Sequence, residues 1–174
     1  MKNPIWEMIK TRQKEHTESI HNILRRVPIF EDLSLREMME VEKIIHRRKY
    51  ATGEPVFRMG DPGLGMYIIV TGKVAIVEEA KDQAELQLAE LQDGAFFGDL
   101  ALLDESPRSA SAIARSDCDI IGFFRPDFID LLYRKPKTGI KILSALAKIV
   151  GERLRRTNVL LSELQKKCGE RNNG

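Results

Sequence analysis

Between Arg47 and Phe124 the chain is cut every few residues by glycine- and proline-bearing turns. "TGEP", "GDPGLG", "TGK" and "DG" separate the short apolar runs "MYIIV", "VAIV", "ELQLAEL", "SAIA" and "CDIIGFF". Such runs, bounded by residues that supply positive φ or stop a helix, have the texture of strands and turns. Strands do not alternate with helix-length segments there, so an antiparallel barrel or sandwich is expected rather than a doubly wound parallel sheet.

The flanks have a different period. Ile5, Ile9, His16, Ile20, Ile23 and Val27 recur at helical spacing until Pro28 breaks the pattern. "SLRE" then predicts a capping box, with Ser34 as cap and Glu37 reaching back, ahead of a face made of Met38, Val41, Ile44 and Ile45. After "RPDF", where Pro126 suits a first helical turn, the chain reads as helix to its end. Leu143, Ala147, Val150, Leu154, Thr157, Leu161, Leu164 and Cys168 are spaced alternately by four and three, the seam of a coiled coil. A seam of that length calls for a partner helix, and a second copy of the chain is the simplest one. The alternative is a helix that only covers its own sandwich. The fold expected is therefore α+β, an antiparallel β-roll or jelly-roll sandwich with N-terminal helices and a long C-terminal dimerisation helix.

At 174 residues one domain with extra helices is expected, and 43% hydrophobic with 31% charged residues can build an ordinary core. A formal charge of +2 is too small for a nucleic-acid coat. Cys118 and Cys168 are too few for a disulfide framework, and "MKNPIWEMIK" lacks the apolar stretch of a secretion signal. No apolar run reaches the roughly 18 residues a membrane span needs. A cytoplasmic protein is expected.

The chemistry concentrates in "FFGDLALLDESPRSASA", Phe96 to Ala112. A glycine turn and a turn of helix offer free backbone N–H groups. Arg108 adds a permanently charged fork suited to phosphate, and Ser109 a hydroxyl donor. Asp99 suits a sugar hydroxyl instead. One phosphate charge with a ribose hydroxyl nearby would satisfy both, whereas a triphosphate would leave several negative charges unpaired.

Gly98-Asp99-Leu100-Ala101 followed by Pro107-Arg108-Ser109-Ala110 resembles the phosphate-binding cassette of the cyclic-nucleotide-binding domain family, in its catabolite activator protein-like branch. The similarity runs upstream through "YATGEPVFRMGDPGLGMYIIVTGKVAI" and downstream into the long helix, covering roughly residues 28 to 165. The resemblance implies an N-terminal helical extension over 1–27, a cyclic-nucleotide-binding β-roll with flanking helices over 28–134, and a lid and dimer helix with its tail over 135–174. It also implies that Arg108 and Ser109 bind the cyclic phosphate. Gly98 and Asp99 would hold the ribose hydroxyl with backbone groups of Leu100 and Ala101 nearby, and Thr157 and Asn158 would read the base. The family usually has glutamate where this chain has Asp99, one methylene shorter, so the hydroxyl contact is expected to be longer or water-mediated.

Only "GERNNG" follows Cys168, so a stand-alone member without a helix-turn-helix domain is expected. The implied function is a non-enzymatic, homodimeric sensor for cAMP, with cGMP as the other candidate ligand and no further cofactor, that signals to a separate effector protein. The rival is a ligand-independent scaffold whose Asp99 and Arg108 pair with each other.

The other signals read as structural. His16, His21 and His46 share no metal-ligand spacing with a cysteine, and "TGK" lacks the first glycine of a phosphate loop and reads as a hairpin turn. Cys118 reads as a small core residue. Arg153, Arg155 and Arg156 read as a solvated helix face, with nucleic-acid binding as the rival. Trp6, on an amphipathic extension, would dock a partner, pack on the sandwich or touch a membrane surface.

Overall fold

A computed structural model describes residues 20–79 and 85–171. The expectations placed on Trp6, on His16 and on the Cys168 side chain fall outside what is described.

Helix α1 (Ile20–Arg25) buries Ile23 and Leu24, and a 3-10 turn at Pro28–Phe30 buries Ile29 and Phe30. Helix α2 (Leu35–Glu42) starts at the expected capping box. The Ser34 amide donates to Glu37 Oε2 at 2.7 Å, and the Glu37 amide donates to Ser34 Oγ at 3.4 Å. The helix ends earlier than its apolar face implied, because Ile45 already opens strand β1 (Ile45–Tyr50).

Eight antiparallel strands follow: β1, β2 (Pro55–Phe57), β3 (Gly65–Thr71), β4 (Val74–Glu79), β5 (Glu85–Leu91), β6 (Phe96–Phe97), β7 (Ser111–Ala114) and β8 (Cys118–Phe124). They form two four-stranded sheets, ordered β1-β8-β3-β6 and β2-β7-β4-β5. β3 and β4 lie in different sheets, so Thr71-Gly72-Lys73 is no hairpin turn and carries the chain from one sheet to the other.

Helix α3 (Arg125–Arg134) has Pro126 in its first turn, as expected. The helical stretch is not continuous, since Lys135 leaves helical geometry before Pro136 opens α4 (Pro136–Arg171). A residue preceding proline is pushed out of the α region by the pyrrolidine ring.

The strand period of two sorts side chains between two cores. Met66, Ile68, Ile121 and Phe123 face the helices and meet Phe30, Met38, Phe128 and Leu146. Ile69, Cys118 and Ile120 face the opposite sheet and meet Val74, Phe97 and Ala112. Cys118 is a buried core residue, as expected. The first half of α4 is anchored by Ile142 and Leu146, while Leu154, Leu161 and Leu164 are more than half exposed. Those seam leucines are not spent on the chain's own sandwich.

Candidate functional site

The segment between β6 and β7 forms one wall of a cavity of about 490 Å³. Gly98 stands at φ 71°, and a Cβ there would lie 2.7 Å from Arg108 Nη1. Both the left-handed backbone and the close guanidinium require glycine. A 3-10 turn then runs over Asp99–Leu102, with Asp99 and Ala101 buried and Leu100 outside.

Arg108 is only 7% exposed. Its own backbone is laced to the turn before β3, its N–H donating to Asp61 O and its carbonyl accepting from the Gly60 amide, both at 2.9 Å. The side chain folds back into the wall, where Nη2 donates to Gly65 O at 2.6 Å and Nη1 to Gly98 O at 3.2 Å. Its guanidinium carbon sits 4.1 Å from the centre of the Phe57 ring. Nε is buried and has no hydrogen-bond partner among the described residues. Burial pushes the guanidinium pKa below its usual value, with Tyr67 opposing the shift, yet arginine remains charged in such surroundings. Ser109, beside it, is exposed and lines the same cavity.

Asp99 and Arg108 do not pair with each other. The Asp99 carboxylate, 3% exposed, instead accepts from Arg153 of α4, whose Nη1 lies 2.8 Å from both carboxylate oxygens. The Arg153 side chain is half exposed and its guanidinium lies 5.4 Å from the centre of the Phe96 ring. Arg153 therefore departs from the solvated face it was read as, although Arg155 and Arg156 are exposed. Ile76, Leu91 and Phe96 add apolar lining to the same cavity.

The expected residues Gly98, Asp99, Leu100, Ala101, Arg108 and Ser109 all line the cavity. Thr157 and Asn158 do not. They lie farther along α4 on exposed positions, with Thr157 Oγ1 donating to the Arg153 carbonyl at 3.0 Å and the Asn158 carbonyl accepting from Ser162. Phe57, which the sequence did not single out, and Arg153, which reads there as part of a solvated helix face, join the site. Its volume falls in the usual range for small-molecule pockets, and its mostly apolar lining with a few convergent polar groups is typical of them. Among the described residues no three His, Cys, Asp or Glu side chains are grouped to hold a metal ion, and no helix is long and apolar enough to cross a membrane.

Residues 47–135 match the profile of the cyclic nucleotide-binding domain. The chain is 35% identical over 125 residues to the cyclic AMP receptor protein of Thermus thermophilus, covering 72% of this chain and 58% of that one. It is 32% identical over 136 residues to a cAMP-dependent protein kinase regulatory subunit of Hypocrea atroviridis, covering 72% and 28%. It thus spans less than two thirds of either relative. Among solved structures, the catabolite activator protein of Thermus thermophilus superposes with a TM-score of 0.70 at 35% identity, over 79% of this chain and 63% of that one. A cyclic nucleotide-binding domain from Methylobacillus flagellatus gives 0.70 at 26% identity, over 83% and 82%.

Proposed function

The chain belongs to the cyclic nucleotide-binding domain family, and from that premise we propose that it is a non-enzymatic cyclic-nucleotide sensor that takes cAMP and passes the signal through α4 to a separate protein. The observation that carries this reading is Arg108. A guanidinium 7% exposed at a cavity wall donates to two backbone carbonyls and has no carboxylate within ion-pair distance among the described residues, so its charge suits an anion in the cavity. A cyclic phosphate monoanion supplies one charge and several acceptors, and the Ser109 hydroxyl adds a donor beside it. Asp99 accepts the ribose hydroxyl. A carboxylate has about four acceptor sites, so the ribose can join Arg153 there without expelling it.

The names of the relatives support cAMP as the ligand. A nucleotide that engages Asp99 also engages the helix held to it, which gives α4 the differential contact a switch needs. In this reading two α4 helices pair along the exposed leucine seam. The assembled pair brings Thr157 and Asn158 toward the base, which one chain alone does not.

The second reading, a ligand-independent scaffold, is favoured by one observation: Asp99 already has a charged partner in Arg153. Titration calorimetry with cAMP and cGMP separates the two. Loss of a charged hydrogen-bonding partner is worth roughly 1.5–3 kcal/mol, so Arg108→Ala is expected to weaken binding about ten- to hundredfold. An unchanged dissociation constant in the variant, or silence of the wild type with both nucleotides, refutes the sensor reading.

A further inference from the structure

Resting on the sensor reading above, we propose that Phe57 is a positioning residue for the phosphate arginine, holding the Arg108 guanidinium over its ring at the cavity wall in the rotamer that the ligand meets.

Phe57 ends the short strand β2 and pairs with Ala112 of β7, the strand that follows the cassette. The register slips between Pro55 and Phe57, so two steps along β2 meet one along β7. An irregularity of this kind re-aims the side chain that follows it, and here that side chain lines the cavity. The ring is fixed from behind by aromatic neighbours on two other strands. Its centre is 5.6 Å from that of Tyr67 and 5.8 Å from that of Phe97, and those two rings stack on each other at 5.5 Å. A packed cluster from β2, β3 and β6 thus presents Phe57 to Arg108 as the nearer ring, with the Tyr67 ring centre 5.7 Å from the guanidinium carbon.

The guanidinium meets that face with its carbon 4.1 Å from the ring centre, while Nη1 and Nη2 donate to Gly98 O and Gly65 O. Stacking on a ring consumes no N–H group, because guanidinium donors lie in the plane. Two of the five donors go to backbone carbonyls, and the buried Nε has no hydrogen-bond partner among the described residues. Burial disfavours the positive charge, and the negative face of the ring offsets part of that cost. An aliphatic side chain at 57 would fill similar space without attracting the cation, leaving the long arginine free to adopt other rotamers. Preorganisation of this kind raises affinity without any contact between Phe57 and the nucleotide.

The test is a double-mutant cycle on cAMP affinity, read by competition against a fluorescent cyclic nucleotide. Phe57→Leu is expected to weaken binding about two- to tenfold when Arg108 is present, the range for ordering one rotamer-rich side chain on binding. In an Arg108→Gln background the same substitution should change affinity less than twofold, and Phe57→Tyr should restore near-wild-type binding. Equal losses in both backgrounds would mean that Phe57 touches the nucleotide or merely supports the sandwich, and would overturn the proposal. A second measurement needs no ligand: by NMR, Phe57→Leu should move the Arg108 Nε–H resonance downfield and speed its exchange with water. A wild type silent toward both nucleotides overturns the sensor reading, whereas an Arg108 Nε–H signal indifferent to Phe57→Leu overturns this inference alone.

Discussion

Replacing Arg153 by methionine keeps most of the stem and removes the charge that meets Asp99. The Asp99 carboxylate is 4% exposed, and among the described residues Arg153 is the side chain that donates to it. Stripping the partner from a fully buried ion pair costs about 3–5 kcal/mol, because the remaining charge is left without compensation. The Arg153 side chain is 52% exposed, so solvent screens the pair and water can take part of the place of the guanidinium. The expected loss therefore falls to about 1–2 kcal/mol. For a chain of this size each kcal/mol lowers the melting temperature by about 2–4 °C, giving a drop of about 2–8 °C. Arg153 also packs on Phe96, and that loss has nothing to do with the carboxylate. Repeating the substitution in an Asp99→Asn background isolates the pair, since the packing loss is common to both arms. Thermal melts of the four proteins should give a coupling of about 1–2 kcal/mol. An Arg153→Met cost equal in both backgrounds would refute the conclusion that this pair ties α4 to the cassette.

Two further outcomes are expected. The Glu37 carboxyl is held at about 2 instead of 4.5, first by the Lys141 ammonium at 2.7 Å and then by the Ser34 amide of its own cap. A folded-state value below the unfolded one contributes stability above about pH 5 that is lost as pH falls through about 2, so unfolding free energies from urea titrations between pH 6 and 2 should fall by about 1–2 kcal/mol less in Glu37→Gln, after screening; parallel curves would refute this. Leu161 is 53% exposed at the centre of the α4 seam, and Leu161→Glu should convert a dimer to a monomer in sedimentation velocity and narrow the cAMP over cGMP preference if Thr157 and Asn158 act across the dimer. A monomeric wild type would refute the pairing of the helices.

The parts of the fold legible in the sequence were those fixed by local chemistry. Ser34 and Glu37 satisfy each other's backbone donors within one turn, so the start of α2 could be read without knowledge of what it packs against. Glycine and proline turns marked the strands for the same reason. What failed depended on partners. Ile44 and Ile45 extend a helical stripe and equally open a strand, and only pairing of Ile45 with Phe123 decides between them. Thr71-Gly72-Lys73 has the composition of a hairpin, yet β3 finds β8 and β6 while β4 finds β5 and β7. The break at Lys135 was there to be read in the proline that follows it.

The site divides along the same line, and the division bears on how a signal would leave it. Gly98, Asp99, Arg108 and Ser109 were recognisable because they sit within one short segment whose spacing is their signature. Arg153 meets Asp99 across 54 positions, and nothing in a basic helical run says which of its members turns inward. The two arginines are also held differently. Arg108 is bound to backbone carbonyls of β3 and the Gly98 turn and stacked on Phe57, all within the sandwich. Arg153 is held to the cassette by side-chain contacts alone, with Asp99 and Phe96, and it lies one turn beyond Val150, where the packing of the helix on the core ends. In the proposed sensor, a phosphate at Arg108 would meet a fixed frame that many contacts resist moving, whereas a hydroxyl at Asp99 would alter the balance of one ion pair worth about 1–2 kcal/mol. Free energy from a ligand moves the element that is cheapest to move. In the proposed sensor, the phosphate end of the nucleotide would therefore supply affinity, and its ribose end the displacement of α4.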